Sequence, residues 1–205
     1  MNIARIVKKP ENRRNEIIQA AQRLFITQDY DKTSMQDIIN DLGIAKGTIY
    51  HYFSSKEALL QAVIEDIVNN TIEQMNDVLQ TSGTALEKIQ RLVQLGNVQH
   101  SHEKIIDSLH RDEYDSMHTR LLVAMLLRQA PLYAQLIEQG CKEGVFATKY
   151  PLQAAEFILF AVQFLTDKGI HAWSQEEITQ RMQAFPQFVE QILQAPENSF
   201  DFLKQ

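Results

Sequence analysis

A single cysteine, Cys141, excludes an internal disulfide framework and suits a reducing compartment, so the cytoplasm is the expected location. Seven glycines and five prolines are few turn formers for 205 residues, which disfavours a β protein and favours helices. No apolar run is long enough to span a bilayer. The greasiest, Ala154 to Leu165, covers about half of the ~20 residues needed and contains Glu156 and Gln163. The opening Met1-Asn2-Ile3-Ala4-Arg5 lacks the apolar stretch of a signal peptide. GxSxG, P-loop, dinucleotide-binding and HExxH patterns are all missing, so an enzyme is not expected. His100, His102, His110 and His118 lie in a stretch with Asp107, Asp112 and Glu113. However, His100 and His102 are two apart and would face differently on a helix. With no HExxH or CxxC spacing either, neither a metal nor another cofactor is expected.

What is present begins with enough apolar residues, 44%, to pack a core. The net charge of −6 argues at first against nucleic acid, but its distribution reverses that reading. Residues 1–25 carry six Lys and Arg against two Glu, a net +4. Residues 61–205 carry 11 basic against 19 acidic side chains, a net −8. A basic end on an acidic body leaves one surface able to approach phosphates while the remainder repels them.

Hydrophobic spacing then organises the N-terminal end. Ile17, Ala20, Ala21, Leu24 and Phe25 mark one face of a first helix. Ser34 and Asp37 have capping-box spacing at the head of a second, whose inward residues are Met35, Ile38, Ile39 and Leu42. Gly43 can take the left-handed conformation that ends it. A third short helix runs from about Ala45 to Tyr52, with Ile49 and Phe53 inward and Lys46, Gly47, Thr48, Tyr50 and His51 outward. A fourth is expected from Ser54, again at capping-box spacing to Glu57. Two short helices across a glycine turn, behind a supporting helix, describe a helix-turn-helix, whose second helix enters the major groove. Gly47 permits close approach, Thr48 can touch a base edge or a thymine methyl, and Tyr50 and His51 can reach bases or phosphates. Lys46 and Lys56 supply charge to the phosphates.

These residues carry a specific likeness. Thr33-Ser34-Met35-Gln36-Asp37-Ile38-Ile39, then Leu42-Gly43-Ile44-Ala45-Lys46-Gly47-Thr48-Ile49-Tyr50-His51-Tyr52-Phe53, then Lys56-Glu57-Ala58-Leu59-Leu60, resembles the TetR/AcrR signature. The likeness is close from about Asn12 to Val63 and only architectural beyond residue 80. It implies an all-α chain: a three-helix helix-turn-helix DNA-binding domain over 1–54, then a larger helical ligand-binding and dimerisation domain over 55–205. It also implies that Thr33 or Ser34 caps the second helix against a phosphate. Lys46, Gly47, Thr48, Tyr50 and His51 would line the groove, and Lys56 would meet the backbone. The function implied is a repressor that binds a palindromic operator as a dimer and is released by a small-molecule inducer. An architectural or replication-linked DNA-binding protein of the same fold is the alternative.

In the body, helices are expected over Ser55–Leu79, Ala85–His100, Glu103–His110, Tyr114–Gln139, Pro151–Lys168 and Gln175–Leu193. Pro131 and Pro186 should kink or split theirs, and Gly140 and Gly144 should flank a connection. Ala154 to Leu165 is apolar nearly all round and needs cover on more than one side. Ile178, Met182, Phe185, Val189 and Ile192 form a coiled-coil-like seam. A homodimer through Pro151–Lys168 and Gln175–Leu193, built as a four-helix bundle, satisfies both. Candidate lining for an effector pocket is Leu92, Gly96, His100, His110, Tyr114, Met117, His118, Leu121, Met125, Phe157, Phe160 and Phe164, suited to an apolar or amphipathic molecule.

Overall fold

The computed structural model describes residues 10–98, 105, 110 and 114–204. Among them the regular structure is helical throughout, with no strand. The helices are α1 (Pro10–Gln28), α2 (Met35–Leu42), α3 (Lys46–Tyr52), α4 (Lys56–Gln80), α5 (Ala85–Val98), α6 (Asp115–Glu143), α7 (Pro151–Thr166) and α8 (Gln175–Leu193). A short 3-10 turn follows at Asp201–Lys204. Most of the helix expected over Glu103–His110 lies outside the described residues, as do His100 and His102.

The described chain forms two compact units that divide at Val68, within α4. The first is built on the predicted apolar stripes. Ile17, Ala20, Ala21 and Phe25 of α1 are buried with Ile38 and Ile39 of α2, Ile49 of α3, and Leu59, Leu60 and Val63 of α4. Phe25 and Tyr30 meet edge to face at 5.0 Å, which closes the α1–α2 corner. The start of α4 differs from expectation. Ser55 is its cap, its hydroxyl accepting from the Ala58 amide at 3.2 Å, and Ser54 lies one residue further out.

The second unit packs α6 against α5 and α7, with α8 against α7 and the 3-10 turn. Its core includes Ile89, Leu92, Ala130, Leu136, Ile137, Phe146, Ala155, Leu159, Val189, Leu193 and Phe200. Polar contacts close its corners. Glu143, at the end of α6, accepts from the Ala85 amide at 3.0 Å and so caps α5. The Lys88 ammonium is buried, donating to the Leu79 carbonyl at 3.0 Å and to Gln139 at 3.2 Å. Ser174 and Glu177 form a capping box at the head of α8.

Neither proline splits its helix. Pro131 lies inside α6 and Pro186 inside α8, both assigned as continuous helix. Gly140 is not a flank of the connection either: α6 continues through it to Glu143 and ends at Gly144, which takes the left-handed conformation at φ 77°. The reason is packing. The Phe146 ring lies against the Gly140 Cα where a Cβ would stand, so the glycine serves the core and not a turn.

Candidate nucleic-acid interface and apolar cavity

The helix-turn-helix is fixed by its two ends. Ser34 sits in extended conformation before α2, and its hydroxyl accepts from the Asp37 amide at 3.2 Å. The Asp37 carboxylate accepts from the Ser34 amide at 2.8 Å and the Ser34 hydroxyl at 2.7 Å. These bonds, with the Lys56 charge nearby, hold the Asp37 carboxyl below the usual carboxylate range. Gly43 ends α2 at φ 60°, a conformation that a side chain would strain. The Ile44 amide then donates to the Ile39 carbonyl at 3.2 Å, and α3 begins two residues later.

On α3, Ile49 is fully buried and the capping Phe53 nearly so, which fixes the rotation of this seven-residue helix. The rotation leaves Lys46, Gly47, Tyr50 and His51 exposed, with Thr48 half-buried. Tyr50 keeps 43% of its surface. The Lys46 ammonium is 5.7 Å from the Tyr50 ring centre, so charge and aromatic face share one edge. Gly47 has open space where a Cβ would be. Lys56, at the start of α4, lies 4.0 Å above the Tyr30 ring, with its ammonium 3.4 Å from the Asp31 carbonyl. Ser34, Gln36, Lys46, Tyr50 and Lys56 border one concave surface between the heads of α2 and α3.

Thr33 also borders that surface but is turned inward. It is 1% exposed, and its hydroxyl donates to the Asp29 carbonyl at 2.8 Å, with the Leu24 carbonyl at 3.4 Å. It therefore ties down the connection from α1, where Asp29 takes a left-handed turn, and the capping falls to Ser34 alone. Sequence reasoning missed Tyr30, whose ring supports Lys56 across the fold. An aromatic residue between two helices gives no periodic signal.

In the second unit, a cavity of about 230 Å³ is lined by apolar side chains, among them Ile89, Val93, Ile137, Ala155, Leu159, Val162, Met182, Phe185 and Leu203. Tyr133 also lines it, and burial pushes its phenol up to about 12, so the hydroxyl stays neutral. Among the described residues, the candidate lining residues do not border this cavity, and Phe157 borders the groove between α7 and α8 instead. Leu92 is in the packed core, Gly96 is exposed, and His100 is outside the described residues. Tyr114, Met117, Leu121 and Met125 are half-buried at the N-terminal half of α6. His110 and His118 pair with Asp167.

Phe157, Phe160 and Phe164 face outward from α7, with 70%, 54% and 42% of their surfaces exposed. The last two stack at 5.4 Å. Phe188 and Ile192 extend this apolar surface onto α8, and a groove runs between the two helices. Of the expected α8 seam, Met182, Phe185 and Val189 border both the cavity and this groove, while Ile192 borders the groove alone.

Known proteins agree with this architecture. The family model of bacterial regulatory proteins of the tetR family matches residues 17–63. A tetracyclin repressor-like C-terminal domain matches residues 95–188, and the two together span about two thirds of the chain. The HTH-type transcriptional repressor KstR2 of Mycolicibacterium smegmatis is 26% identical over 149 residues, covering 67% of this chain and 69% of that protein. The HTH-type transcriptional activator FasR of the same organism is 25% identical, covering 66% and 58%. In fold, a transcriptional regulator from Cytophaga hutchinsonii superposes with a TM-score of 0.67 at 21% identity, over 93% of this chain and 96% of that one. Among the described residues no helix is long and apolar enough to cross a membrane. A helix-turn-helix with an open polar edge, a larger helical unit following it in sequence and matches to both halves lead to one conclusion: the chain belongs to the TetR family of bacterial transcriptional regulators and is a regulator, not an enzyme.

Proposed function

We propose that this chain is a dimeric repressor that holds a palindromic operator through α3 and releases it when a small apolar or amphipathic molecule enters the second unit. The observation that carries the reading is the exposed edge of α3. Lys46, Gly47, Tyr50 and His51 stand free on a helix whose opposite side is locked by Ile49. Ser34 and Lys56 flank that edge and are assigned to phosphates, Thr48 to a base edge. Residues 1–54 then form the reading head, and 55–205 bind the effector and dimerise.

Dimerisation is assigned to the outward faces of α7 and α8, where Phe157, Phe160, Phe164, Phe188 and Ile192 leave a continuous apolar surface in water. Two reading heads held by one interface bind two half-sites, so each contact is reinforced by its symmetry mate. The apolar cavity is the assigned effector site. An effector lowers operator affinity only by preferring the conformation in which the two heads are wrongly spaced. Repression, as opposed to activation, is supported by the repressor KstR2. The bacterial cytoplasm is the assigned location.

The test is titration of the purified protein onto labelled duplex spanning the DNA beside its own gene, at a series of salt concentrations. The reading expects saturable binding of one or more dimers, with affinity falling linearly on a log–log salt plot. Retention of no duplex of any sequence at low salt would overturn it.

A further inference from the structure

His110, His118 and Asp167 converge in the second unit from positions far apart in sequence, and we propose that they form a binding site for a divalent transition metal of the zinc class. His118 lies on α6 and is 3% exposed, and Asp167 is the residue that ends α7. The His118 Nε2 is 3.1 Å from one Asp167 carboxylate oxygen, and the His110 Nε2 is 3.7 Å from the other. The two imidazole centres are 4.9 Å apart, and one donor atom from each of the three residues falls within 4.8 Å of the others.

A hydrogen bond between His118 and Asp167 would account for two of these groups. A cation among the three would account for both imidazoles facing one carboxylate. Metal bonds of about 2.0–2.1 Å at tetrahedral angles place neighbouring donors roughly 3.3 Å apart. Each imidazole lies 3.1 or 3.7 Å from its own carboxylate oxygen, and the three donors, within 4.8 Å of one another, would draw together on an ion.

Two further features show a built site. One Asp167 oxygen accepts from the Gly169 amide at 2.7 Å and the Ile170 amide at 3.2 Å, which orients the carboxylate as outer-shell bonds orient a metal ligand. Gly169 itself has both imidazoles packed where a Cβ would stand, so the loop approaches the rings only because that residue has no side chain.

The donor set defines the ion. Two nitrogens and a carboxylate suit Zn²⁺, Co²⁺ or Ni²⁺, whereas Mg²⁺ and Ca²⁺ require oxygens and Cu⁺ prefers sulfur. Three protein ligands leave a position for water or an incoming group. This site goes beyond the repressor reading and does not depend on it.

The experiment uses the full chain without an affinity tag, stripped with a chelator and titrated with Zn²⁺ by calorimetry and with Co²⁺ by visible absorption. One Zn²⁺ per chain is expected, together with a Co²⁺ absorption band that Zn²⁺ abolishes. Asp167→Asn and His118→Gln should each weaken binding at least ~100-fold, more than loss of an outer-shell partner does. His110→Gln, at a less buried position, keeps the test open should either of those fail to fold by circular dichroism. His171→Gln should bind as the parent does. The absence of stoichiometric uptake by the parent chain, or uptake unchanged in His110→Gln and Asp167→Asn, overturns the proposal.

Discussion

Replacing Phe160 with Arg should break the dimer while leaving each chain folded. Phe160 keeps 54% of its surface within its own chain. A phenylalanine offers roughly 200 Å², so about 110 Å² awaits cover on each protomer. At about 25 cal/mol per Å², covering it contributes about 2.75 kcal/mol per chain and about 5.5 kcal/mol for the symmetric pair. Buried area never converts fully into affinity, because association costs translational and rotational freedom. Half of that amount still weakens the dimer ~100-fold. Two guanidinium groups brought together across the interface would weaken it further, by desolvation and like-charge repulsion. Within the chain the exposed ring supports little, so the folding stability of the monomeric unit should hold to within about 0.5 kcal/mol. Sedimentation velocity across a concentration series reads the result. A variant that sediments as the parent dimer at every concentration refutes the assignment of this face.

Other perturbations separate the parts of the account. Ile49→Ala empties a fully buried position under α3 and should cost about 2–5 kcal/mol, read as a lower denaturant midpoint of the first unit. Lys88→Met removes the charged donor that serves the Leu79 carbonyl and Gln139. A loss of about 1.5–3 kcal/mol follows, lowering Tm by roughly 3–12 °C; no change would mean that the ammonium is satisfied elsewhere. The Asp37, Glu57 and Glu177 carboxyls all lie below their ordinary values, chiefly because each accepts bonds at the head of its helix from Ser34, Ser55 and Ser174 respectively. Their stabilisation is therefore complete above the unfolded carboxylate range near ~4 and fades as pH falls through the lower folded values. Tm should be insensitive to these groups between about pH 5 and 7 and drop in acid. Asp37→Asn should soften that acid slope, and an unaltered slope would contradict the cause given.

The first unit was legible because its signals are local. The Ser34 capping box, the Gly43 stop and the Ile38, Ile39 and Ile49 spacing each act within one or two helical turns, and the fold keeps all of them. The choice between Thr33 and Ser34 as the cap stayed open in the sequence because the two have nearly the same chemistry, and only the tertiary position of Asp29 decides which hydroxyl points inward. The second unit was legible as helices but not as faces. α7 is apolar on every side, so periodicity could not say that Ala155 and Leu159 turn inward while Phe157 and Phe160 turn out. The same limit explains the missed cavity, whose wall is assembled from α5, α6, α7, α8 and the C-terminal 3-10 turn. The convergence of His110 and His118 with Asp167 was invisible for a related reason: its third member lies 49 residues beyond His118.

A kink or split was also expected at Pro131 and Pro186, and neither helix is split there. A proline inside a helix loses one backbone bond, a cost of about 3 kcal/mol that surrounding packing can offset. Pro186 is itself buried beside the α8 core residues, where its ring contributes apolar contact.

The edge of α3 is the part on which the regulatory account rests, and it can be tested directly. Tyr50→Ala and His51→Ala remove exposed side chains that the chain's own core does not use. The operator dissociation constant of each variant should be measured by fluorescence anisotropy at one stated salt concentration, beside its thermal midpoint. Each lost contact should cost about 1–3 kcal/mol per half-site, which for a dimer weakens operator binding at least ~30-fold, with Tm unchanged. Parent-strength binding by either folded variant would contradict the placement of α3 in the groove.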